Sequence, residues 1–259
     1  MHPVIEPPSG RDYFKESRAV FDAIRMPFYL VASSISNDAI AEERVPVVLI
    51  PGFGGGDGVM SPFKRFLANS GYDCYGWGLG KNYAGFNLNY DEQDISWDFD
   101  KAKKNNGELG VPYLCDQMVE RIEKIYTETS KSVVVIGWSL GGCIAREVAR
   151  DAPDAVKCVV TLGAPVRGGP KYTAAGKQLA KKGLDLDWIE REVDKRTERF
   201  ITCPITAIIS RADGIVAYES TIDHQNPRVQ HVDIKTSHLG MVFNPSCWIA
   251  TLSAINKYQ

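Results

Sequence analysis

The stretch Lys131–Arg150 limits the possible folds of this chain more than any other stretch. It opens with a run of β-branched apolar residues, Val133–Ile136, as buried strands do. The chain then reads Gly137-Trp138-Ser139-Leu140-Gly141 and continues with small and apolar residues at helical spacing: Ile144, Ala145, Val148 and Ala149. This pattern predicts a strand, a sharp turn and a helix, with a serine at the tip of the turn.

A serine at such a tip has the properties of a nucleophile. The glycines on either side of Ser139 remove side chains that would collide where the helix crosses the strand. Leu140 is the first residue of the predicted helix, so its backbone N–H group is free to face developing negative charge. A glycine turn with a bystander serine would give the same five letters, but the strand and helix around them favour the nucleophile.

The bulk properties of the chain exclude several classes of protein. Its 259 residues are 44% hydrophobic, which suits one large α/β domain or two small ones. With 30 basic and 32 acidic residues, the net charge of −2 does not indicate a nucleic-acid binder. The six cysteines lack metal-binding spacing, and reduced thiols would favour a cytoplasmic location. We expect no signal peptide, and no apolar run approaches the ~20 residues of a membrane span.

Strand and helix patterns alternate along the chain. Strands are predicted at Val45–Ile50, Tyr72–Trp77, Val156–Leu162, Ile201–Ser210 and Val229–Lys235, and helices at Ser61–Ser70, Val111–Thr129, Tyr172–Lys182, Asp187–Phe200 and Trp248–Ile255. The alternation predicts a mostly parallel sheet with helices on both faces. We expect one domain, 1–259, with an N-terminal arm and helix at 1–44, a polar excursion at 81–110 and a small helical cap at 166–200.

Two of these segments have more than one interpretation. Residues 12–35 have a helical pattern with apolar side chains such as Phe14 and Phe21. Packing on the body is favoured over peripheral membrane contact, because the polar face lacks a lysine-rich stripe. The excursion contains carboxylates that could hold calcium, but their spacing is not that of a known calcium loop, which favours a solvated loop. These carboxylates are Asp91, Glu92, Asp94, Asp98 and Asp100.

A nucleophilic serine needs a base, which is usually histidine. The chain has four histidines, and His238 follows the last predicted strand. In a parallel sheet, ligands bind beyond the carboxyl ends of strands, where Ser139 is also expected. His2 lies in the N-terminal arm, and His231 lies inside a strand pattern. His238 is therefore the predicted base.

The base needs a carboxylate that fixes its tautomer and stabilises the imidazolium. Asp213 follows another predicted strand and lies between the serine and the histidine in the chain. Asp223 and Asp233 are the alternatives, although the first lies well past a strand end and the second lies within a strand.

Glycines also follow the first predicted strand, in Pro51-Gly52-Phe53-Gly54-Gly55-Gly56-Asp57-Gly58. So many glycines let the backbone approach a ligand and leave N–H groups free. A flexible linker would look similar. The functional interpretation is an oxyanion loop in which the N–H groups of Phe53 and Leu140 are the two donors.

The order Ser139, Asp213, His238, with Pro51-Gly52-Phe53-Gly54 upstream, resembles the α/β-hydrolase superfamily of esterase and lipase type. The resemblance runs from about Val45 to the C-terminus, although many lipases have His-Gly in place of Pro51-Gly52. Three short sequence segments are similar to those of bacterial α/β-hydrolases with no defined substrate: Tyr75–Gly80, Leu162–Pro165 and Ser237–Gly240.

The resemblance implies an α/β-hydrolase fold, a Ser/His/Asp triad and a two-amide oxyanion hole. It implies a small-molecule acyl ester as substrate and requires no metal or organic cofactor. Thioester or amide cleavage and acyl transfer would use the same residues. A non-catalytic binding protein on this fold is a further alternative.

Overall fold

The fold is a parallel β-sheet covered by helices, seen in a computed structural model that describes residues 5–24, 26, 44–97 and 109–258. The strands are β1 (Pro46–Ile50), β2 (Asp73–Gly76), β3 (Val133–Trp138), β4 (Val156–Leu162), β5 (Ile205–Ile209) and β6 (Val229–Asp233). All neighbouring strands run parallel, in the order β2-β1-β3-β4-β5-β6. The predicted parallel sheet is confirmed.

The helices of eight or more residues lie where the sequence pattern predicts them, with small shifts at their ends. They are α1 (Asp57–Asn69), α2 (Gly110–Thr129), α3 (Leu140–Asp151), α5 (Leu186–Thr197) and α6 (Pro245–Asn256); the shorter α4 spans Gly176–Lys181. Both α4 and α5 fall between β4 and β5, within the segment expected to form a small cap. Their role as a cap, and the division of the chain into one domain with appended segments, stay predictions.

The two faces of the sheet carry separate hydrophobic cores, because side chains alternate along each strand. Val48 and Ile50 point to the core that contains apolar residues of α2 and α3. Val47 and Leu49 point to the opposite core, where the rings of Phe63 in α1 and Trp248 in α6 stack with centroids 5.7 Å apart. The central strands β1, β3, β4 and β5 are therefore buried on both faces, whereas the edge strands β2 and β6 are partly exposed.

Helix α1 begins earlier than predicted, at Asp57 rather than Ser61. The Asp57 carboxylate accepts the backbone N–H groups of Trp77 (2.9 Å) and Gly78 (3.3 Å), which ties the first turn to the end of β2. Pro62 therefore lies inside the helix instead of in its first turn. The prediction was wrong because it treated all the glycines before Ser61 as loop.

The N-terminal segment also differs from its prediction. Asp12–Arg18 form a 3₁₀ helix and residues 19–24 continue as α-helix, whereas residues 27–43, which include the rest of the predicted helix, lie outside the described part. The apolar side chains that suggested the helix face solvent, and Phe14 is 81% exposed. Asp22 is buried instead, because it finds hydrogen-bond partners in the body of the protein.

The described part of the polar excursion, residues 81–97 and 109–110, consists mostly of turns and one short 3₁₀ helix, Glu92–Asp94. Asp98 and Asp100 lie outside the described residues. The ranges that the structure describes contain no group of three or more His, Cys, Asp or Glu side chains suited to a metal ion. No helix in those same ranges combines the length and the apolar character needed to cross a membrane.

Candidate active site

Ser139 occupies a strained turn between β3 and α3. Its backbone angles are φ 54° and ψ −123°, in a region that residues with a side chain rarely adopt. A Cβ atom on Gly137 would collide with the backbone of Gly141, and one on Gly141 would lie 2.6 Å from the carbonyl oxygen of Pro51. The two glycines therefore permit the close crossing that the sequence predicted.

We expect Gly141→Ala to lower the free energy of unfolding by about 3 kcal/mol, because the new Cβ would meet backbone atoms of Ile50 and Pro51 that cannot rotate away. Gly58→Ala in α1 is the matched control. A Cβ on Gly58 meets nothing within 4 Å, so alanine at this position should raise the free energy of unfolding by about 0.5–1 kcal/mol. Urea denaturation measures both changes. Equal effects at the two positions would contradict the close crossing at Ser139.

The structure brings His238 and Asp213 together at the carboxyl ends of the strands. His238 Nδ1 lies 2.7 Å from Asp213 Oδ2, and both side chains are buried. The second carboxylate oxygen, Oδ1, accepts the backbone N–H groups of Ile215 and Val216, each at 2.8 Å. Because an ionised carboxylate only accepts hydrogen bonds, Nδ1 carries the proton and Nε2 is left for proton transfer.

Ser210 joins the loops that carry these two residues. Its hydroxyl donates to the carbonyl oxygen of Thr236 (2.6 Å) and accepts the N–H groups of Ala212 (3.0 Å) and Thr236 (3.2 Å). Trp138 Nε1 donates to the carbonyl oxygen of His238 (3.2 Å), which links the second loop to the serine turn. The segments that bear Ser139, Asp213 and His238 are thus held by direct hydrogen bonds.

The alternative carboxylates have other partners. Asp223 forms a buried ion pair with Arg146, and its backbone N–H donates to His231 Nε2 at 3.1 Å. Burial lowers the pKa of His231, which suits a neutral ring that accepts this bond. Asp233 accepts the Tyr218 hydroxyl at 3.0 Å. His2 lies outside the described residues.

The glycine-rich loop after β1 runs beside the serine. A Cβ on Gly52 would lie 3.0 Å from Ser139 Cβ, so the next residue, Phe53, lies close to the turn. Among the residues that the structure describes, the Phe53 N–H has no hydrogen-bond acceptor, and the Leu140 N–H opens α3. First-turn amides of a helix lack partners within the helix. Phe53 and Leu140 follow the carboxyl ends of β1 and β3, where the strand order reverses and ligands bind in such sheets.

A cavity of about 390 Å³ lies beside Ser139 and His238. Ser139, Leu140, His238 and Phe53 line it, and helices α4 and α5 provide one wall. Most of the lining is apolar, with Phe86, Trp97, Val166, Leu184, Ile189 and Val193. Its volume is within the range of ~300–1,000 Å³ that small-molecule sites occupy.

The sequence profile of the PGAP1-like alpha/beta domain matches residues 42–240, which include Ser139, Asp213 and His238. The chain belongs to this family. All six strands of the PGAP1-like domain lie within the matched residues, whereas the described N-terminal segment, residues 5–24, lies before them. No curated protein matched the chain in sequence.

Solved structures share the α/β-hydrolase fold of this PGAP1-like domain. One comes from work on LipS and LipT, two metagenome-derived lipolytic enzymes; it has 14% identity and a TM-score of 0.59, and the match covers 83% of this chain and 94% of that one. Lipase B of Aspergillus fumigatus has 16% identity and a TM-score of 0.58, over 85% of this chain and 55% of its own. The thioesterase domain of the curacin pathway has 12% identity and a TM-score of 0.52, and the match covers 83% of this chain and 92% of that domain.

The PGAP1-like domain also has a thiol near its serine. Cys143 lies one helical turn beyond Ser139 and lines the same cavity. Burial raises the pKa of Cys143 to about 12, so this thiol stays protonated at neutral pH. The serine is therefore the better candidate nucleophile.

Sequence analysis did not identify every residue of this site. Ser210 and the apolar side chains of α5 are missing from its predictions. Nothing in the sequence distinguishes Ser210 from other serines at strand ends. Only the pairing of β5 with β6 brings Ser210 close to Thr236. The apolar side of α5 was visible, but the sequence alone did not show that it faces the serine.

Proposed function

We propose that this protein is a serine hydrolase that cleaves carboxylic esters through an acyl-enzyme on Ser139. One observation carries the proposal. A serine on a strained turn lines a cavity with His238, whose other ring nitrogen lies 2.7 Å from the Asp213 carboxylate. This arrangement provides a nucleophile, a base and an orienting acid.

In the first half of the proposed reaction, Ser139 Oγ attacks the carbonyl carbon of the ester while His238 Nε2 takes the hydroxyl proton. The carbonyl oxygen becomes an oxyanion, and the N–H groups of Phe53 and Leu140 donate to it. Donors of this kind contribute about 3 kcal/mol each to the transition state. When the tetrahedral intermediate collapses, His238 returns the proton to the leaving alcohol, and the acyl group stays on Ser139.

In the second half, water loses a proton to His238 and attacks the acyl carbon. The same two N–H groups stabilise the second oxyanion. The bond to Ser139 then breaks, the serine regains the proton from His238, and the carboxylic acid leaves. Asp213 keeps the imidazole ring in one orientation through both halves.

The apolar cavity walls support an acyl group as the part of the substrate that the protein recognises. Thioester or amide cleavage and acyl transfer would use the same residues. The similarity to the curacin thioesterase domain does not decide between them, because 12% identity extends only to the fold.

The test is hydrolysis of p-nitrophenyl esters of increasing acyl length, with acyl thioesters assayed in parallel, by the wild-type protein and by Ser139→Ala. Activity that depends on the serine supports the proposal, and faster turnover of the esters favours ester cleavage. A wild type that neither turns over any ester nor reacts with a fluorophosphonate would overturn it in favour of a non-catalytic binding protein.

We expect Val193→Trp to shorten the preferred acyl chain. Val193 lies on the wall that α5 provides, so the larger ring would occupy space in the cavity. KM for the longest esters should rise about tenfold or more, since the loss of a few buried methylenes costs ~1–3 kcal/mol. Turnover of the acetyl ester should stay near the wild-type value.

Arg191→Trp is the matched control for this variant, because Arg191 lies on the exposed side of the same helix. It should leave the chain-length profile unchanged. If both tryptophan variants shifted the profile alike, the cavity between α5 and Ser139 would not be the acyl site.

A further inference from the structure

Residues 12–24 lie across the two loops that carry Asp213 and His238; this segment is called the strap. Its Glu16 carboxylate accepts three backbone N–H groups. Oε1 accepts those of Gly214 (2.9 Å) and His238 (3.0 Å), and Oε2 accepts that of Leu239 (2.8 Å). A single side chain of the strap thus bonds the backbone of both loops.

The position of these bonds matters more than their number. Gly214 follows Asp213 directly, and His238 is the candidate base itself. One carboxylate oxygen therefore joins the backbones on either side of the hydrogen bond between Asp213 Oδ2 and His238 Nδ1. An ionised carboxylate has only hydrogen-bond acceptors, so it suits three converging backbone N–H groups. A glutamine side chain would instead place its NH₂ group, which only donates, against one of these backbone N–H groups.

Two other strap residues, Asp12 and Asp22, also contact the segments that follow β5 and β6. Asp22 is buried and accepts the Thr236 hydroxyl (2.9 Å) and the Asn244 side-chain amide (2.8 Å). A Cβ on Gly214 would collide with the backbone oxygen of Asp12, and one on Gly240 would collide with the Asp22 carboxylate. Both loops thus have a glycine where the strap crosses them.

We propose that Glu16 is a positioning residue for the catalytic pair: it holds the backbone of His238 and of Gly214 at the spacing that the bond between His238 and Asp213 requires. The proposal rests on the function proposed above. It adds a residue from outside the part of the chain that matches the family profile, which begins at residue 42. Without this carboxylate, the two loops lose a direct link and the imidazole drifts from the serine.

The first test compares kcat and KM for the preferred p-nitrophenyl ester, per active site titrated with a fluorophosphonate. Glu16→Ala should lower kcat about 100-fold with little change in KM, since displacements near 1 Å cost that much in rate. Glu16→Gln keeps one acceptor oxygen and should lose about tenfold. Glu6→Ala removes an exposed carboxylate of the same N-terminal segment and should change neither constant.

Gly214→Ala tests the strap while the Glu16 side chain is retained, although the new Cβ would also lie 3.0 Å from Glu16 Oε1. Its Cβ would displace the strap at Asp12, so kcat should fall about as far as in Glu16→Ala. Because both changes remove one interaction, the double variant should lose little more than either single variant. Fully additive losses would overturn the proposal.

A spectroscopic measurement separates positioning from mere stability and from the hydrolase proposal. The low-field proton NMR resonance of the bond between His238 Nδ1 and Asp213 should shift or broaden in folded Glu16→Ala and Gly214→Ala, and stay unchanged in Glu6→Ala. An unchanged resonance in folded Glu16→Ala overturns the proposal, with or without a loss of kcat. The resonance decides the role of Glu16 even if the wild type proves inactive on every ester.

Discussion

Replacing Ser139 with alanine is expected to lower kcat for the preferred ester by at least about 10⁴-fold. The substitution deletes the attacking oxygen and leaves the Cβ that already fits the turn at φ 54°. The proposed oxyanion donors and the cavity stay in place, so the variant should still bind substrate. Steady-state hydrolysis measures the loss, and thermal unfolding should show the wild-type midpoint.

Cys143→Ala is the control for this variant. It removes the neighbouring thiol that burial keeps protonated, and it should leave kcat within a few fold of wild type, as for most changes outside the reacting groups. Full activity in Ser139→Ala, or a large loss in Cys143→Ala alone, would show that the wrong nucleophile has been assigned.

Asp213→Asn is expected to lower kcat about 10⁴-fold through the tautomer of His238. The Asn oxygen must stay with the N–H groups of Ile215 and Val216, because the amide nitrogen cannot accept them. The amide nitrogen then faces His238 Nδ1 and donates to it. The ring proton moves to Nε2, which can no longer accept the proton of Ser139.

Asp233→Asn is the matched control, since this half-exposed aspartate at the end of β6 contacts Tyr218 and Arg211. It should keep wild-type kcat under the same assay. An Asp213→Asn protein within tenfold of wild type, or an equal loss in both variants, would contradict the role given to Asp213. Circular dichroism of each variant would confirm that a loss does not reflect unfolding.

Local patterns and chain order were enough to predict the parallel sheet and the placement of the candidate residues at its carboxyl edge. The strand β3, the turn at Ser139 and helix α3 follow from apolar periodicity and two glycines. The positions of Asp213 and His238 follow because parallel strands bring their carboxyl ends to one edge of the sheet. The hydrogen bond between these two side chains is the tertiary contact that the sequence order anticipated.

Contacts between distant parts of the chain could not be predicted in the same way. Glu16 and His238 are separated by 222 positions, and no local pattern marks a glutamate as the partner of backbone N–H groups. The apolar side chains of residues 12–35 predicted a helix packed on the body, but within the strap the buried partners of Asp22 turn such side chains outward. Tertiary hydrogen bonds outweighed the apolar periodicity there.

Fluorophosphonate labelling followed by peptide mass spectrometry tests the central claim most directly. We expect a single adduct on the peptide that contains Ser139, and a loss of ester hydrolysis in proportion to labelling. The claim would be contradicted by an adduct on another residue, or by a protein that keeps full activity after Ser139 is completely labelled.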